Sequence, residues 1–222
     1  MKRYIKTTCT VIATALASSV HAQDLSISST VGFESIYAFR GSKLANETFQ
    51  GSVDLSYGDF YGGVWTAQPV TGGENNEIDL YGGYEFALTD VILIDTGGTL
   101  YYYPEASATE EESTFEIYIG AAFDVFLSPS AYIYYDFDLE TVTAETTVGK
   151  KYKLAKAVSL KWKAYLGGYD PDEGDSRYYY GLKTDFIYTF NETTSGSIGV
   201  RFSDKEDKNS KLYWGASFTA GF

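Results

Sequence analysis

Polar and apolar residues alternate one by one along most of this chain. The final segment shows the pattern best. Leu212, Trp214, Ala216, Phe218, Ala220 and Phe222 fall on one face, and Lys211, Tyr213, Gly215, Ser217, Thr219 and Gly221 on the other. A period of two is that of a β-strand, whose side chains point alternately to opposite sides. The same alternation predicts strands at 25–39, 48–57, 60–68, 77–87, 91–103, 114–125, 131–138, 141–151, 157–168, 177–190, 195–203 and 211–222. Most are close to the ~9–11 residues a tilted strand needs to cross a bilayer.

The connections sort by length. Short turns follow every second strand, as at Gly58-Asp59 and Leu88-Thr89-Asp90, and longer polar loops follow most of the others, as at 69–76, 104–113, 169–176 and 204–210. Only the connection after 131–138 breaks the rule. Short turns at one end and long loops at the other mark a transmembrane β-barrel of the outer-membrane type. An open sheet edge finds no water in lipid, so such a sheet must close. The expected fold is all-β, an antiparallel up-and-down barrel of about twelve strands with both termini periplasmic. A soluble exported sandwich would share the alternation but has no reason to sort its loops.

Residues 1–22 stand apart. Lys2, Arg3 and Lys6 precede the largely apolar run Thr10 to Ser18, and the segment ends in the small-x-small site Val20-His21-Ala22, which reads as a secretory signal peptide cleaved after Ala22. The run falls short of the ~20 residues of a spanning helix. The only Cys (Cys9), the only His (His21) and the only Met (Met1) lie in this segment, so residues 23–222 form the barrel domain without thiol or imidazole. Three of the 17 basic residues lie there too, which leaves 14 against 30 acidic residues and a net charge of −16. That acidity excludes nucleic acid as a partner. Aromatics make up 17% of the chain, including 21 tyrosines, far from the composition of a disordered segment. Without His, the usual hydrolase chemistries lack their base or ligand, and no enzyme activity, cofactor or metal is expected.

Four stretches carry a family resemblance: Tyr37-Ala38-Phe39-Arg40-Gly41-Ser42, Gln50-Gly51-Ser52-Val53-Asp54, Phe60-Tyr61-Gly62-Gly63-Val64-Trp65 and Glu77-Ile78-Asp79-Leu80-Tyr81-Gly82-Gly83-Tyr84. They resemble the TorF-type porins, also called the Gcw_chp family of exported bacterial proteins. The resemblance is clear over 30–90, and it implies an outer-membrane barrel with a transport role.

If the apolar faces meet lipid, the others line a lumen. Twelve strands ~4.8 Å apart and tilted ~40° give a backbone radius of roughly 12 Å, narrow once side chains are added. The expected pore-lining acidic residues are Glu34, Asp54, Glu77, Asp79, Glu85, Asp95, Glu116, Asp124, Asp136, Asp138 and Glu145. The expected basic ones are Lys161, Lys163, Arg177, Lys183 and Arg201, with Arg40 at the top of the first strand adjoining them on closure. An acidic wall facing a basic wall sets up a transverse field and, with acids in excess, a weak cation preference. The alternative is that the charges pair across the lumen and lock it, leaving a non-conducting barrel with a structural or surface role through its acidic loops.

Those loops, Glu110-Glu111-Glu112 and Asp170-Pro171-Asp172-Glu173-Gly174-Asp175, lack the spacing of a Ca²⁺ loop and read as solvated. The runs Tyr101-Tyr102-Tyr103 and Tyr178-Tyr179-Tyr180 fall near strand ends, where aromatic girdles lie. Inward-facing Tyr101, Tyr103 and Tyr179 could instead stack a sugar. The C-terminal Phe222 resembles the assembly signal read by the barrel-assembly machinery. The expected partners are outer-membrane lipid, lipopolysaccharide and small polar solutes or ions, and the chain is expected to act as a monomer.

Overall fold

A computed structural model of the chain describes residues 25–107, 111–172, 174–206 and 210–222. The signal segment and its cleavage site lie outside them. The strands are β1 (Ser26–Glu34), β2 (Tyr37–Phe39), β3 (Ser42–Ala45), β4 (Thr48–Tyr57), β5 (Phe60–Pro69), β6 (Glu77–Ala87), β7 (Ile92–Tyr102), β8 (Ser113–Phe123), β9 (Ser130–Asp136), β10 (Thr141–Lys153), β11 (Val158–Pro171), β12 (Arg177–Thr189), β13 (Thr194–Lys205) and β14 (Lys211–Gly221). Among the described residues, twelve of them form one closed antiparallel barrel in which sequence neighbours pair and β1 joins β4 on one side and β14 on the other. β2 and β3 pair only with each other.

The alternation dictates which side chains go where. On β8, Thr114, Glu116, Tyr118 and Ala122 are buried, whereas Phe115, Ile117 and Ile119 are exposed. On β9, Tyr132, Tyr134 and Asp136 are buried, and Ile133, Tyr135 and Phe137 just beyond the strand are exposed. The polar face is therefore the interior and the apolar face the exterior, the inverse of a soluble sandwich. Aromatic clusters ring the outside at both ends. Phe33 lies 5.3 Å from both Phe49 and Trp214 at one end, and Phe60–Tyr84 (4.8 Å) and Tyr188–Phe190 (5.0 Å) lie at the other.

Turns of two to six residues, at 58–59, 88–91, 124–129, 154–157 and 190–193, close one end, the end that also holds both ends of the barrel domain. At the other end 35–47, 70–76 and 103–112 are longer, whereas 137–140, 172–176 and 206–210 are no longer than the turns, because β11 and β13 extend into the loops expected there. The first strand is shorter than the alternation predicts. It ends at Glu34, and the chain leaves the wall as the β2–β3 hairpin. Arg40 and Gly41 both have positive φ, 45° and 76°, as a two-residue type I′ turn requires. The alternation in Tyr37-Ala38-Phe39 is real, but it belongs to this hairpin and not to the wall.

Candidate functional site

The interior is the candidate site, and the hairpin is its first feature. The Tyr37 hydroxyl donates to Glu77 Oε2 (2.7 Å), and its ring lies 5.5 Å from that of Trp65. Burial, with Glu77 alongside, pushes that hydroxyl well above its ordinary pKa, so it stays a donor. The Arg40 guanidinium makes two parallel bonds to Glu116, 2.7 and 2.9 Å, and stacks over Phe39 and Tyr134 at 4.8 and 4.7 Å. From the other side, Lys211 Nζ donates to the Gly41 carbonyl (3.0 Å) and Lys205 Nζ to Ser42 Oγ (3.3 Å). The hairpin thus spans the lumen from β6 and β8 to β13 and β14. Gly41 has no room to change: a Cβ there would sit 2.6 Å from Tyr179 Cβ and 2.7 Å from the Asp204 carbonyl. Arg40 is therefore not on the first wall strand beside the basic residues, as the alternation suggested. It pairs with the acidic side.

Below the hairpin, tyrosines hold the carboxylates. Tyr61 and Tyr132 donate to Asp95 (2.7 and 2.9 Å), Tyr101 to Glu116 (3.2 Å), Tyr103 to Glu77 (3.3 Å) and Tyr179 to Glu145 (3.0 Å). Tyr81 and Ser52 bond Asp54, and the Tyr61 and Tyr118 hydroxyls bond each other. The inward members of the tyrosine runs serve this network, while Tyr178 and Tyr180 face out. Glycines on neighbouring strands make space for the rings: a Cβ on Gly120 would meet the Tyr132 ring at 2.3 Å, and one on Gly181 the Tyr165 hydroxyl at 2.2 Å.

Arg201 is 3% exposed and sits between two carboxylates. Its Nε donates to Glu34 Oε1 (3.1 Å), and its Nη1 lies 2.7 Å from Asp185 Oδ1 as an ion pair without hydrogen-bond alignment. Lys163 faces Lys183 across β11–β12, Lys183 faces Arg201 across β12–β13, and Lys151 faces Lys161 across β10–β11.

Two spaces remain. A chamber of about 130 Å³ under the hairpin is lined by Arg40, Asp79, Glu145, Lys163, Lys183 and Tyr213, among others. A vestibule of about 400 Å³ opens at the turn end beside Asp54, Glu85 and Lys151. Tyr61 and Tyr81 line both.

The other sequence-derived residues fall as follows. Asp79 and Asp136 are buried, and Asp136 caps the amides of Asp138 and Leu139 (3.0 and 2.8 Å). Arg177 is at the loop-end rim, 3.4 Å from Asp175. Asp124 and Asp138 are corrections. Both lie past their strand ends and are exposed, Asp138 accepting from the Phe115 amide (2.7 Å), because parity was carried beyond the last paired residue. Asp185 and Lys151, whose inward parity the alternation also carries, and the tyrosines Tyr61, Tyr118, Tyr132 and Tyr134 join the lumen set. Among the described residues no three His, Cys, Asp or Glu side chains gather where they could hold a metal ion.

A family model of bacterial proteins of unknown function, Gcw_chp, matches residues 18–214. The chain belongs to the Gcw_chp family. No curated protein matches it in sequence. Its fold is similar to that of the KdgM porin, with 10% identity and a TM-score of 0.58 over 89% of this chain and 99% of that one. It is equally similar to the COG4313 outer membrane channel of Pseudomonas putida F1, with 11% identity and a TM-score of 0.58 over 92% and 97%. Omp33 of Acinetobacter baumannii follows, with 9% identity and a TM-score of 0.52 over 91% and 100%. This member of the Gcw_chp family therefore has the fold of outer-membrane porin barrels.

Proposed function

We propose that this Gcw_chp protein is an outer-membrane channel for passive diffusion of ions or small polar solutes, weakly cation-preferring. The carrying observation is a closed barrel, apolar outside, whose interior holds two spaces that share Tyr61 and Tyr81 and are lined by aromatic and charged side chains. The KdgM porin, the NanC porin and the COG4313 channel share the fold and are named as porins or channels. On this reading residues 1–22 direct export and are cleaved after Ala22, Phe222 serves the barrel-assembly machinery, and the protein works as a monomer in contact with lipid and lipopolysaccharide. Asp54, Asp79 and Glu145 line these spaces outside the arginine pairs and favour cations over anions.

The lipid-facing assignment has its own test. Leu182 is exposed midway along β12. Leu182→Arg should cost ~2–4 kcal/mol in refolding from urea into vesicles, the penalty of a cation at the bilayer midplane. An unchanged midpoint would reject the placement.

The channel is tested in a planar bilayer under a salt gradient. Discrete steps that reverse on the cation side are expected. Lys161→Glu with Lys163→Glu should strengthen cation preference, and an unmoved reversal potential would remove both from the ion path. The hairpin that crosses the lumen favours the second reading, a non-conducting barrel acting through its outer loops. An inserted, heat-modifiable barrel that never conducts would establish it.

A further inference from the structure

The lysines of the interior do not behave like its other charges. Apart from Asp79, whose Oδ1 lacks a hydrogen bond, the other strong charges near the chamber have partners. Arg40 holds Glu116, Arg201 holds Glu34 and Asp185, and Glu145 accepts from Tyr179. Lys163 and Lys183 line the same chamber, stand directly opposite each other in register, and have no ion pair or hydrogen bond among the described residues. Like charges placed opposite on one sheet face destabilise it, and a partly desolvated cation without a counter-charge costs more. Glu34 and Asp185 attract Lys183 from nearby, but both carboxylates are held by Arg201 and neither forms an ion pair with a lysine of the chamber. The fold gains nothing from this arrangement.

We infer that Lys163 and Lys183 form a binding site for the anionic oxygen group, carboxylate or phosphate, of a small solute held in the chamber beneath the hairpin. The two ammonium groups supply six N–H donors converging from adjacent strands. Tyr165 and Tyr213 line the chamber with them and offer ring surface to the rest of the solute. Lys161, two residues from Lys163 toward the turn end, stands between Lys151, which lines the vestibule, and Asp185 in register, and carries positive charge on toward the other mouth. An anion leaving the chamber therefore has a next station. The inference rests on the channel reading for its physiological meaning and names that channel's solute class. It is compatible with a weak cation preference in simple salt, because free cations follow the carboxylate side.

The full protein, purified from membranes in detergent, would be titrated calorimetrically with citrate, with inorganic phosphate and with uncharged glycerol. Saturable binding of citrate or phosphate and none of glycerol is expected. Lys163→Gln and Lys183→Gln should each weaken it about tenfold by loss of one close opposite charge, and the Arg pair K163R/K183R should retain it. Heat-modifiable migration checks that each variant is folded. Should the Gln variants not fold, the wild-type titration still decides, because absence of saturable binding of both anions overturns the inference. Binding unchanged in folded Gln variants overturns it too. Citrate alone points to a carboxylate solute, phosphate alone to a phosphorylated one. The same anions added to a bilayer recording should interrupt the current. Calorimetric binding with a silent bilayer would leave the site standing and remove the channel. A conducting bilayer with no calorimetric binding would do the reverse.

Discussion

Replacing Arg40 with Ala should raise single-channel conductance severalfold and lower the barrel's thermal stability. The hairpin rests on a few contacts. Tyr37 on Glu77 and Lys211 on the Gly41 carbonyl are single hydrogen bonds, each contributing roughly 1 kcal/mol or somewhat more when charged. The two-pronged Arg40–Glu116 pair, roofed by Phe39 and Tyr134, is the strongest of them. Losing about 2 kcal/mol shifts an in–out equilibrium of the hairpin roughly thirtyfold. The stability loss has a separate cause. Glu116 is 2% exposed, and without Arg40 it keeps only a neutral hydroxyl, from Tyr101, on a buried charge. Adding Glu116→Gln should recover the stability and leave the pore open. Arg40→Lys should fall between, since an ammonium cannot make the forked contact. A planar bilayer reads the first effect and the gel transition of the heat-modifiable band the second. Conductance unchanged in a destabilised R40A would mean that the hairpin does not obstruct the path.

The wall of the barrel was legible because each strand carries its own evidence. Alternation marks 177–190 and 211–222 in the sequence, and the strands run Arg177–Thr189 and Lys211–Gly221. Period two plus sorted loop lengths is a local signal and needs no knowledge of neighbours. What lies inside depends on register and closure, which are not local. The same alternation continues through Tyr37-Ala38-Phe39, and only pairing with Ser42–Ala45 reveals a hairpin. Tyr61 meets Asp95 and Tyr118 across 34 and 57 positions, so the tyrosines read as girdle or stacking surface until the registers are known. Asp124 and Asp138 failed for a simpler reason: parity assigns a face only where a strand exists.

The Arg201 cluster shows this dependence at its strongest, and Arg201→Met should be the most damaging single change in the barrel. Arg201 on β13 reaches Glu34 on β1, 167 positions away, past the intervening β14. It thus bridges the seam where the first and last strands close the barrel. The packing was built around it. A Cβ on Gly199 would sit 2.5 Å from Arg201 Nη1, and one on Gly215 2.4 Å from the Glu34 carboxylate, so both positions are open only because they are glycine. Methionine keeps much of the volume but removes the guanidinium that holds Glu34 and Asp185, leaving them only the lesser attraction of Lys183. Removing one partner of a buried pair costs about 3–5 kcal/mol, and here two carboxylates lose the same partner. The expected result is a urea midpoint far below the parent's or a chain that no longer refolds. The triple variant R201M/E34Q/D185N should recover most of the loss, because a buried ion cluster replaced as a whole by neutral groups is often close to neutral in stability. Conductance in the triple variant then isolates electrostatics from folding. If R201M melts like the parent, water reaches this level of the lumen well enough to screen the carboxylates, and the pore is wider at the seam than the side-chain packing implies.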